Sequence, residues 1–150
     1  MFRDLSFFDI VSLLEIIMAS QTKYNNIIFL IIVGLLGWLI PGAGHFAINK
    51  KTHAFIIFFF IIITFLTGLY IGSLAVIDPI GAKPWYAAQV MNSPAVVILG
   101  NISKTGGYYV YGRPAEIGQI YTSVAGLLNL LCIVNAVYWA HLLKTKQEGE

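Results

Sequence analysis

The side chains in this chain best suited to chemistry are three histidines, His45, His53 and His141, and three amides set in apolar surroundings, Gln119, Asn129 and Asn135. Imidazole is a frequent ligand for transition metals and haem. If the histidines come to one end of a helical bundle, they define a metal or haem site. The pattern around them argues against it. No His-x-x-x-His pair occurs, and the apolar stretches hold no Asp or Glu to orient a ligating ring. The single cysteine, Cys132, excludes an internal disulfide and a cysteine-built zinc site. No nucleophile–base pair, phosphate loop or pair of carboxylates can be assembled. The sequence therefore predicts a protein that is not an enzyme and holds no cofactor.

The elements that carry these residues follow from where charge is missing. Of 150 residues, 58% are hydrophobic and only 11% charged, against roughly 25% charged in soluble domains. A net charge of +2 without a basic patch excludes a nucleic-acid binder. There are 26 residues between Lys23 and Lys50 without Asp, Glu, Lys or Arg, 26 between Lys51 and Asp78, and 27 between Glu116 and Lys144. About 20 mostly apolar residues span a bilayer as a helix, and a helix satisfies its own backbone there. The expectation is an all-α integral membrane protein forming a single membrane domain, 1–150. It has a kinked span at 27–48, a second span at 54–74, a third at 114–143 and a polar tail at 144–150. The kink is placed at Pro41-Gly42-Ala43-Gly44, because proline removes a helical hydrogen bond and glycine loosens the backbone.

Two further segments complete the plan. Within residues 4–20, the run 5–19 is apolar apart from Ser6, Asp9, Ser12 and Glu15, which recur every three residues as a narrow polar stripe. An interfacial helix is expected, suited to another protein as much as to lipid because it lacks lysine and arginine on that stripe. Residues 75–113 are rich in Pro and Gly and form an outer loop with short interfacial helices, one near 94–102, anchored by Trp85, Tyr86, Tyr108, Tyr109 and Tyr111. Lys50, Lys51, Lys144 and Lys146 are concentrated in a short turn and the tail, which predicts a cytoplasmic C-terminus and, with three spans, an N-terminus outside.

Small residues mark two helix faces. Thr64, Gly68 and Gly72 share one, and Gly118, Thr122 and Gly126, continued by Asn129, share another. Such spacing lets helices approach closely in lipid, either within the chain or against a partner. Intramembrane amides serve chiefly as interhelical hydrogen-bond groups.

The string Leu39-Ile40-Pro41-Gly42-Ala43-Gly44-His45-Phe46 and the run from Glu116 to Leu131, Glu-Ile-Gly…Ala-Gly-Leu-Leu-Asn, together resemble a family of small, uncharacterised bacterial multi-pass membrane proteins. The similarity covers about 27–143. It implies a bacterial inner-membrane location and supplies no activity or catalytic residue. The function expected is a non-catalytic accessory or scaffold subunit of a larger membrane complex, with lipid and other membrane subunits as partners and no nucleic acid. The alternatives are a redox subunit using His45, His53 or His141, and a small oligomeric transporter or channel with Asn129 and Asn135 on its path.

Overall fold

The computed structural model describes residues 26–108, 110 and 112–148. The interfacial helix expected at 4–20 lies outside the described residues. Within them the chain is all-helical, with no strand. Helix α1 is Asn26–Leu39. It is followed by α2 (Ala43–Ala47), α3 (Lys51–Gly72), a 3₁₀ turn (Leu74–Val76), α4 (Lys83–Val90), α5 (Ala95–Thr105) and α6 (Arg113–Glu148).

Among the described residues two helices, α3 and α6, are long and apolar enough to cross a membrane. They run antiparallel. Gly68 lies against Thr122 and Gly118, and Gly72 against Pro114 and Gly118, while the Lys50 ammonium sits 3.2 Å over the Trp139 ring at the other end. This register puts Asn129 level with Ile61, midway along α3. A Cβ on Gly68 would lie 2.7 Å from Thr122 Cγ2 and 2.9 Å from the Gly118 carbonyl, so glycine is what permits the approach.

The described part of helix α1, Asn26–Leu39, is shorter than a membrane span. Its 14 residues cover about 21 Å, against a hydrocarbon core of about 30 Å. The 27–48 segment does not continue as a bent rod. It reverses. Ala43 N donates to the Ile40 carbonyl at 3.0 Å, closing a turn with Pro41 second and Gly42 third, and Gly42 takes φ 84 and ψ −17. Those are type II angles, which proline favours at the first central position and glycine at the second. A Cβ on Gly42 would also approach the Ala54 carbonyl to 2.5 Å. Beyond the turn α2 returns along α1, with Gly44 against the Val33 carbonyl and Gly37. Val33, Ile48, Ala136 and Ala140 close the cluster between this hairpin and α6.

The 75–113 segment forms a second hairpin and packs inward. Pro84 occupies the first turn of α4, where its missing N–H costs nothing. Helix α4 runs parallel to α6, with Trp85 beside Ser123 and Ala88 against Gly126. The chain reverses at Met91–Pro94, and Ser93 Oγ accepts from Ala95 N at 3.3 Å to start α5. The expected helix near 94–102 is α5. It folds back beside α4, with Gly100 against Tyr86, and buries Val96 with Ile61, Phe65, Val76, Ile77 and Ala125.

The order helix, proline-containing turn, helix, long helix thus occurs twice, with the two long helices in opposite directions. The two short leading helices, α1 and α4, approach each other along α6 and meet end to end.

Candidate functional site: the junction of the two hairpins

The meeting point brings together two helix C-termini. The last carbonyls of a helix have no partner within it and carry partial negative charge. Here α1 and α4 place those ends together, with Asn129 of α6 between them. Its amide Nδ2 donates to the Gly37 carbonyl of α1 at 3.1 Å, to the Met91 carbonyl at 3.1 Å and to the Asn92 carbonyl at 2.9 Å. Asn129 is completely buried. Two further bonds cross the same joint. Trp38 Nε1 donates to the Val90 carbonyl at 3.0 Å, and Ser93 Oγ donates to the Leu39 carbonyl at 3.2 Å.

A second polar contact lies one level higher. Gln89 of α4, fully buried, donates through Nε2 to Thr122 Oγ1 at 2.8 Å and to the Val76 carbonyl at 3.1 Å. Thr122 Oγ1 in turn donates within its own helix, to Gly118 and Gln119 carbonyls at 2.9 and 3.1 Å. Ser123 Oγ donates to the Trp85 carbonyl at 3.2 Å. Among the described residues, the side-chain oxygens of Gln89, Asn92 and Asn129 are buried without a hydrogen-bond partner. They are neutral acceptors beside helix C-termini, so the field at the junction favours donors and repels anions.

The residues singled out from sequence distribute as follows. Gly68, Gly72, Gly118 and Thr122 meet at the α3–α6 contact. Gly126 faces α4 instead, where a Cβ would overlap the Ala88 carbonyl. Thr64 departs from this set. It is half-buried, and its hydroxyl donates to its own helix at the Phe60 carbonyl, 2.8 Å away. Pro41, Gly42 and Gly44 form the first hairpin's turn and return. His45 is buried, and its Nε2 lies 3.1 Å from Asn135 Oδ1, the tautomer protonated there donating to the amide. His53 and His141 are exposed. Among the described residues no three of His, Cys, Asp and Glu gather closely enough to hold a metal ion. His45 acts as a helix-to-helix tie of the same kind as Asn129.

Gln89, Asn92 and Trp38 are functional to the junction and were not singled out from the sequence. A signal was available for the first two. Lys83-Pro84 is a helix start and Asn92-Ser93-Pro94 a stop, which places Gln89 on a short helix between them.

A family model described as a family of unknown function (DUF6677) matches residues 32–149, and the chain belongs to that family. No curated protein and no solved structure matches it.

Proposed function

We propose that this DUF6677 chain is an integral protein of a bacterial inner membrane and acts as a non-catalytic accessory subunit docked to helices of a larger complex. In this reading α3 and α6 cross the bilayer, and the two hairpins enter from opposite sides and meet near the midplane. Irregular backbone at that depth is tolerated where protein covers it, and Asn129 supplies the cover. The dense lysine end, Lys50, Lys51, Lys144 and Lys146, is cytoplasmic.

One observation carries the accessory role. Thr122, Ser123, Asn129 and Asn135 of α6 are all engaged with this chain's own groups. Toward the outside, α3 presents Phe59, Ile63, Leu66 and Tyr70, one stripe at helical spacing, with Tyr70 91% exposed. The inner polar groups hold the fold, and the outer aromatic stripe is left for a neighbour. Photo-crosslinking in intact cells from positions 63 and 66 tests this. An adduct with a second, different polypeptide is expected. Adducts with lipid alone, together with a chain that purifies as a free monomer in mild detergent, refute it.

The doubled hairpin supports a second reading, a small oligomeric transporter. Transporters built from inverted repeats bind solute where broken helices meet near the midplane. Helix C-termini at the junction suit a cation. Reconstituted liposomes that show no flux of monovalent cations under an imposed gradient refute this reading.

A further inference from the structure

We propose that the cleft between the first hairpin and α3 is a binding site for one acyl chain of an anionic phospholipid, with its phosphate at Lys51. The cleft is lined by Ile40, Pro41, Ala43, Phe46, Ala54 and Phe58 and exposes no polar surface. A neighbouring cleft shares Ile40, Pro41 and Phe58 with it and continues along α3 to Phe65 and across to Leu99 of α5. Each offers a volume of about 280 and 250 Å³ respectively.

The dimensions fit a lipid tail. On α3 the two clefts run from Ala54 to Phe65, 11 residues apart, or about 16 Å at 1.5 Å per residue. One leaflet's half of the hydrocarbon core is about 15 Å. The groove is therefore about as long as one leaflet's hydrocarbon is deep, and Lys51 lies about one helical turn beyond its outer end.

Charge selects the headgroup. The Lys51 ammonium lies 6.0 Å from the centroid of the Phe46 ring, which is itself a wall of the cleft. Lys50 and Lys144 at the same end are seated on Trp139 and Phe29 at 3.2 and 5.1 Å. Lys51 is exposed and has the loosest ring contact of the three, so it is the cation placed to meet a phosphate. Basic groups beside clefts between membrane helices recognise anionic headgroups in this way. The proposal rests on the membrane placement above and is independent of the outer stripe of α3, where a partner docks.

The test is native mass spectrometry of the full-length chain released from nanodiscs of equal phosphatidylglycerol and phosphatidylcholine. One retained phosphatidylglycerol per chain is expected, in preference to phosphatidylcholine. Lys51→Gln weakens that preference about fivefold, the worth of one lysine beside an anionic surface. Ala43→Phe fills the cleft and abolishes retention of both lipids. Equal retention of the two lipids by the wild type, no retained lipid, or undiminished retention by Ala43→Phe overturns the proposal. So does a photoprobe at position 43 that labels a polypeptide, the chain's own N-terminal segment included, in place of lipid. Crosslinking from positions 63 and 66 stays as it is in both variants, which separates failure here from failure of the partner reading.

Discussion

Replacing Asn129 by leucine should loosen the fold at one identifiable joint. The amide has three carbonyl acceptors, those of Gly37, Met91 and Asn92, at 2.9 to 3.1 Å. Leucine keeps the branching of asparagine but its methyls are larger than the amide groups and need more room beside the carbonyls, so the loss is chiefly of hydrogen bonding with some overpacking added. Interhelical hydrogen bonds in bilayers average about 0.6 kcal/mol and reach about 1.7, which gives about 1 kcal/mol at the average for the two N–H groups that the three carbonyls share. The carbonyls left behind belong to two helix ends in an apolar interior, where an unmet acceptor costs about 1–3 kcal/mol. Asn129 Oδ1 has no partner of its own, so removing it recovers part of that cost. The expected destabilisation is about 2–4 kcal/mol, read from reversible unfolding in mixed micelles. Hydrogen exchange of the Trp38 indole N–H should speed up in parallel, because its bond to the Val90 carbonyl crosses the same joint. Trp38→Phe and Asn129→Leu should then be non-additive, since both act on one contact. A loss under about 0.5 kcal/mol with unchanged Trp38 exchange would show that the two hairpins do not depend on Asn129.

Gly42→Ala should cost more than Gly112→Ala by at least about 1 kcal/mol in the same unfolding assay. Both positions have positive φ, 84 and 76, but a Cβ at Gly42 meets the Ala54 carbonyl while one at Gly112 meets nothing within 4 Å among the described residues. Gly68→Leu should separate α3 from α6 and lower stability by about 3 kcal/mol or more, or abolish accumulation in membranes, measured by immunoblot of the membrane fraction. Gln89→Met should be mild, about 1 kcal/mol or less in the unfolding assay, because it removes an unpartnered buried oxygen along with the two donated bonds. Reporter fusions after residues 24 and 150 should report the same side of the membrane, where a single kinked span over 27–48 would put them on opposite sides.

Sequence reading reached the helices and stopped at how they turn. The charge-free windows over 54–74 and 117–143 fix α3 and α6 to within a few residues, because an unbroken apolar run of that length has one stable backbone form in lipid. The equally long window between Lys23 and Lys50 is interrupted by Pro41-Gly42. The two small-residue faces were also legible, since four-residue spacing on a helix is a local property. That Gly68 and Gly118 would meet each other, and Gly126 would meet α4 instead, was not. Gly126 lies on the same face as Gly118 along the sequence, and only the arrival of α4 gives it a different neighbour. Thr64 shows the opposite failure, since it keeps the spacing and turns its hydroxyl back into its own helix.

The reversal at Pro41 shows the limit most clearly. A proline after an apolar run reads equally as a kink or as a stop, because both follow from the same missing N–H. Pro-Gly names a type II turn, but what makes the turn hold is Gly44 finding Val33 and Ala136 across the hairpin, a contact between residues far apart in the chain. The amino-acid order alone determined that this is a helical, charge-poor chain with three charge-free windows of membrane length, and the structure showed that two of them are single rods. Tertiary packing decided that the shorter helices fold back as hairpins and meet at Asn129, since an unpaired carbonyl chooses its donor in space and not along the sequence.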